Sequence, residues 1–201
     1  MSFTVDLLAA FTLFAFVSSI TPGPNNTLLL ASGVNFGFRR SIPHALGVSI
    51  GFMVMVLAVG LGLGAVFKAV PVAYTVLRYA GAAYLLYLAY RIATSGPIST
   101  DGSTGERQPM SFLAAAAFQW VNPKAWVMAI GAITTYTPAD GYIANVFVVA
   151  LVFAVVNLPS VCVWVGCGTA LRRVLQERRW LMLFNGLMAA LLVASLYPLL
   201  K

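Results

Sequence analysis

Six apolar segments separated by short polar breaks occupy nearly the whole sequence. They run from Phe3 to Val34, Pro43 to Phe67, Pro71 to Ala93, Phe112 to Tyr136, Tyr142 to Leu171 and Trp180 to Leu200. A helix needs about 20 apolar residues to cross a hydrocarbon core about 30 Å thick, and each segment reaches that length. Inside hydrocarbon the backbone must satisfy its own donors and acceptors, so spans of this kind are helical. A soluble domain carries about 25% charged residues, whereas this chain has 8%. The expected fold is therefore all-α, a polytopic membrane protein of six transmembrane helices forming one domain over residues 1–201.

The net charge of +7 would suggest nucleic acid on a soluble domain, but here the basic residues lie mainly between apolar segments. Nucleic acid is not an expected partner; the charges read as topology signals, because Lys and Arg hold short loops in the cytoplasm. Arg39, Arg40, Arg91, Arg107, Arg172, Arg173, Arg178 and Arg179 follow the odd-numbered segments. The other side has Lys68 and Lys201, with Arg78 a little inside the third segment. This asymmetry puts the odd-numbered loops in the cytoplasm and both termini outside. The apolar N-terminal stretch has no basic region before it and no small-residue cleavage site after it, so the first span is expected to be retained.

The first segment is too long for one straight helix, and its middle reads T-P-G-P-N-N over Thr21–Asn26. Two prolines remove amide donors and clash with preceding carbonyls, and the glycine between them frees the backbone. A helix broken here exposes Thr21, Pro22, Gly23, Pro24, Asn25 and Asn26. The fourth segment carries a matching break at Asn122, Pro123 and Lys124, with Gln119 one turn earlier. Prolines also occur in the fifth segment, at Asn157-Leu158-Pro159.

One broken span at the start of each half suggests two inverted repeats of three helices, about 1–93 and 111–201. The Gly, Ser, Thr and Pro-rich stretch at 94–110 joins them as a cytoplasmic loop. Gly81 and Gly186 open similar apolar stretches about 60 residues after the breaks, which adds a faint letter-level echo.

Unwound backbone at membrane depth must face protein or a water-filled cavity. The first break offers helix-start amides suited to a carboxylate, and carbonyls and Asn oxygens suited to an ammonium. Together with Gln119, Asn122, Pro123 and Lys124 these groups form the expected binding site for a zwitterion. Two readings of Lys124 stand side by side: a charge lining a pathway, or a side chain snorkelling to a nearby interface.

Other features read more simply. Asp6 and His44 are expected at interfaces. Gly47, Gly51, Gly60, Gly62 and Gly64 allow close helix packing, and Tyr79, Tyr84, Tyr87 and Tyr90 are expected to pack and anchor. Cys162 and Cys167 lie in one apolar segment without His or acids around them, so they read as packing residues. No P-loop, catalytic triad or metal-ligand spacing is present; no enzyme activity, cofactor or metal is expected, and any pumping draws on an ion gradient. The alternatives are a membrane thiol oxidoreductase using the two cysteines, or a non-transporting membrane subunit.

The motif T-P-G-P-N-N, followed by G-V-N-F-G-F-R-R-S at Gly33–Ser41, resembles the LysE/RhtB family of amino-acid exporters. So do L-R-Y-A-G-A-A-Y-L-L-Y-L-A at Leu77–Ala89 and F-Q-W-V-N-P-K-A-W at Phe118–Trp126. The resemblance implies a multi-pass protein of the bacterial inner membrane that exports amino acids or close derivatives, driven by the proton motive force. It carries over to Pro22, Gly23, Pro24 and Asn25, and to Asn122, Pro123 and Lys124. Many relatives have Asp where this chain has Asn25, so a mechanism that needs an acid there does not transfer. The cysteine/O-acetylserine exporter branch looks closest. Implied partners are an amino-acid-like substrate and the lipid bilayer, with a homodimer left open.

Overall fold

The computed structural model describes residues 4–63, 71–95, 108–175 and 177–197. Among the described residues the chain is all-helical: α1 (Val5–Ile20), α2 (Pro24–Phe36), α3 (Phe38–Ala58), α4 (Pro71–Ala93), α5 (Phe112–Phe118), α6 (Pro123–Tyr136), α7 (Tyr142–Arg172) and α8 (Arg178–Ala194). A π-turn at Val59–Leu63 extends α3, and a 3-10 turn at Gln119–Val121 extends α5.

Among the described residues two helices are long and apolar enough to cross a membrane alone: α3 with its π-turn, and α7. The α1–α2 pair, bent by 55°, makes a third span if taken as one element. The helix α4 is about 35 Å long at about 1.5 Å per residue. Of the expected boundaries, Pro71–Ala93 is reproduced and the fifth segment gains only Arg172. Most of the loop at 94–110, along with Gly64, Lys68, Arg107 and Lys201, lies outside the described residues.

The second segment departs from expectation. Pro43 reads as its start, yet α3 begins at Phe38 and carries Pro43 inside. The cause is Gly37, whose φ of +79° and ψ of 171° join α2 to α3 through a single residue, a conformation that favours glycine. Arg39 and Arg40 therefore occupy the first turn of α3 rather than a loop. Pro43 is the sixth residue of α3, so it removes the backbone bond that its position would otherwise make to the Arg39 carbonyl.

Contacts join the two halves of the chain rather than filling each half separately. The broken pair α1–α2 packs on α7, α5 packs on α3, α3 packs on α7, and α4 packs on α8. Bare backbone makes two of these contacts close. A Cβ on Gly33 would collide with the Val165 carbonyl, and one on Gly168 with the Leu30 carbonyl. On the other flank, Gly47 meets the Phe112 carbonyl in the same way.

One core cluster surrounds Phe11, Phe52, Trp126 and Phe153. Two others surround Leu28, Leu85 and Phe118, and Leu29, Val48 and Val161. Arg91, Arg172 and Arg178 all stand at one end of the bundle, where Gly37 approaches the Arg172 guanidinium and Asn185 donates to the Ser95 carbonyl. The acids Asp6 and Asp140 stand at the other end, beside the α1 start and the α6–α7 connection. Asp6 is exposed in the first turn of α1, in keeping with an interfacial position.

Candidate functional site

Both expected breaks are present, and they meet. The α1 helix stops at Ile20 and α2 starts at Pro24. The α5 helix tightens into its 3-10 turn and stops before Asn122, after which Pro123 opens α6. In each case proline occupies the first helical position, where its missing N–H has no intrahelical partner to lose.

The end of α1 presents free carbonyls in an apolar surround, and each finds a donor. Lys124 Nζ donates to the Thr21 carbonyl at 2.7 Å, to Thr21 Oγ1 at 2.9 Å and to the Pro22 carbonyl at 3.3 Å. A cation therefore sits on the negative pole of α1. Asn26 Nδ2 donates to the Ser19 and Thr21 carbonyls, each at 2.8 Å, and Trp164 Nε1 donates to the Ile20 carbonyl at 3.1 Å. Gly23 leaves room for this cation: a Cβ there would lie 2.8 Å from Lys124 Cδ and would shift the lysine side chain. Lys124 thus belongs to the breaks rather than to an interface.

A second connection ties the breaks through amides. Asn25 Nδ2 donates to Gln119 Oε1 at 2.8 Å, and Gln119 Nε2 donates back to Asn25 Oδ1 at 3.2 Å. Gln119 is fully buried and also donates to the Ala115 carbonyl at 2.9 Å. Asn122 caps α6 by accepting from the Lys124 amide at 3.1 Å. No side chain caps α2, whose first helical bond runs from the Thr27 amide to the Gly23 carbonyl; the Asn25 and Asn26 amides stand ahead of it.

The structure thus brings all ten expected site residues together, and it adds two. Ser19 Oγ accepts from Asn157 Nδ2 at 3.1 Å, while Asn157 Oδ1 is buried with no hydrogen-bond partner among the described residues. Asn157 stands midway along α7, one turn-half before Pro159; the sequence signal for it was the Asn-x-Pro pattern shared with neither break. Ser18, Asn25, Gln119, Lys124 and Asn157 line a cavity with room of about 20 Å³, enough for a single water and far too small for an amino acid.

One earlier assignment changes in detail. The carbonyls expected to receive a substrate ammonium are already taken by Lys124, which fills that position with the chain's own cation. Cys162 is partly buried against the Val161 cluster and Cys167 is exposed. Five residues apart on one helix, they point about 140° away from each other and form no disulfide. Among the described residues no group of His, Cys, Asp or Glu is arranged to hold a metal.

Residues 16–195 match the LysE type translocator family. The chain is 36% identical over 177 residues to the cysteine/O-acetylserine efflux protein of Escherichia coli K12, covering 87% of this chain and 88% of the relative. The protein of the same name from Shigella sonnei Ss046 matches to the same extent. No solved structure matches the chain. With the paired helix breaks in an all-helical apolar fold and a match over most of its length, the chain belongs to the LysE family of membrane translocators.

Proposed function

We propose that the chain is a secondary-active exporter of amino acids or close derivatives across the bacterial inner membrane, driven by the proton motive force. The observation that carries this reading is the joined pair of helix breaks. Uncapped amides of α2, a lysine ammonium and an Asn–Gln pair converge on one small cavity between apolar clusters. Paired interrupted helices around a central site are the transporter solution to binding a polar solute at membrane depth.

The six-span, inverted-repeat plan completes this reading. Exchanging the first three segments with the last three leaves the list of packed pairs unchanged: first with fifth, fourth with second, second with fifth, third with sixth. The arginine-rich end faces the cytoplasm by the charge rule, and both termini lie outside. The names of the relatives favour cysteine or O-acetylserine as substrate. Its carboxylate meets the Asn25 and Asn26 amides, and its ammonium competes with Lys124 for the Thr21 and Pro22 carbonyls. The closed cavity opens when the Asn25–Gln119 pair separates.

Efflux of cysteine and O-acetylserine from cells expressing the wild type tests the function, and Asn25→Ala tests the site. The variant is expected to lose about tenfold or more in rate, the scale of losing a buried amide pair. Collapsing the proton gradient is expected to stop net export. Absence of substrate efflux by the wild type would overturn the reading, and wild-type rates in Asn25→Ala would remove the amide pair from the site.

A further inference from the structure

A second cavity, of about 660 Å³, opens at the arginine-rich end between α2, α3, α4 and α5. Its floor includes Leu28 and Ala114, and Leu28 is one turn along α2 from Asn25. The vestibule thus ends just below the Asn25–Gln119 pair. Its size falls in the range of small-molecule sites, about 300–1,000 Å³.

His44 forms part of the vestibule wall. Although expected at an interface, it lies six residues inside α3 and is only 2% exposed. Neither ring nitrogen has a hydrogen-bond partner among the described residues. A buried polar group left in that state calls for an explanation, because burial without a partner costs about 1–3 kcal/mol. Near the mouth stands Arg91, exposed and stacked over Tyr87 at 6.0 Å. Among the described lining residues Arg91 is the one permanent charge and none is a carboxylate.

We propose that this vestibule is a loading site for the substrate, in which Arg91 pairs with its carboxylate and a ring nitrogen of His44 hydrogen-bonds its polar side chain. The ligand class is a small polar amino acid with a free carboxylate. A guanidinium at the mouth selects the anionic group, and an unpartnered imidazole deep in the wall offers a donor and an acceptor to a hydroxyl, thiol or ester. The assignment rests on the export reading, and adds a stop on the route before the helix breaks.

Two measurements test it. In proteoliposomes, His44→Phe and Arg91→Gln are each expected to raise the KM for O-acetylserine about tenfold, with maximal rate changed less than about threefold. His44→Gln, which keeps a donor and an acceptor, is expected to restore the KM to within about threefold of wild type. Unchanged KM in both His44→Phe and Arg91→Gln overturns the site. Labelling supplies a measurement that needs no transport and keeps His44 native. With Cys162 and Cys167 replaced by Ser, maleimide should modify Ala114→Cys in purified protein, and O-acetylserine should slow it while its carboxamide should not. Equal labelling with and without O-acetylserine overturns the site. A wild type that moves no substrate but shows this protection would sink the export reading alone.

Discussion

At the scale of single residues, Lys124 has the most to explain. Its ammonium makes three bonds to groups more than 100 positions away in sequence, all at the end of α1. In Lys124→Met the Pro22 carbonyl and Thr21 Oγ1 lose the ammonium and the Thr21 carbonyl keeps only Asn26 as donor, a cost of about 1–3 kcal/mol. The expected outcome is a melting temperature lowered by several degrees in detergent, and efflux reduced at least about tenfold. Lys124→Arg, which keeps the charge but not its compact shape, should recover stability more than rate. Full efflux by Lys124→Met would show that the ammonium is structural only. The sequence displayed the parts of this site and not their assembly. Proline pairs announce a break on their own, because they deny the backbone its bonds wherever they stand. Which carbonyl a lysine will reach depends on how α1 and α6 cross, and no local pattern encodes that.

Among the elements, the closest contact is between α2 and α7. Gly33 and Gly168 face each other with no room for a Cβ on either. Gly168→Ala must push α7 off α2, and overpacking of this kind costs about 1–3 kcal/mol. The expected result is a lower melting temperature for Gly168→Ala but not for Gly166→Ala, whose Cβ would meet nothing within 4 Å. Equal melting temperatures would show that the two helices slide freely. Element limits were legible where proline opens a helix, as at Pro71 and Pro123. They were misread at Pro43, where a one-residue joint at Gly37 lets α3 start earlier. That shift of five residues is also why His44, taken for an interfacial side chain, lies within the bundle. Once the helix starts at Phe38, the chain's single histidine stands out as a buried polar group.

For the whole molecule, charge decides direction. The described arginines outside the α4 interior share one end of the bundle, while Asp6 and Asp140 share the other. A periplasm-active reporter fused after Lys201 is expected to be active, and one inserted in the loop at 94–110 inactive. The reverse pattern would invert the proposed route, since the vestibule would then open outward. Composition made the lipid environment plain, whereas the pairing of the halves became visible only in the folded chain. The backbone contact of Gly33 with Gly168 has a mechanical consequence. It holds α2 and α7 together as one stiff unit, while α1, which also packs on α7, is linked to α2 by Thr21–Gly23. Any flexing at the 55° elbow between α1 and α2 changes how tightly Lys124 holds the Thr21 and Pro22 carbonyls.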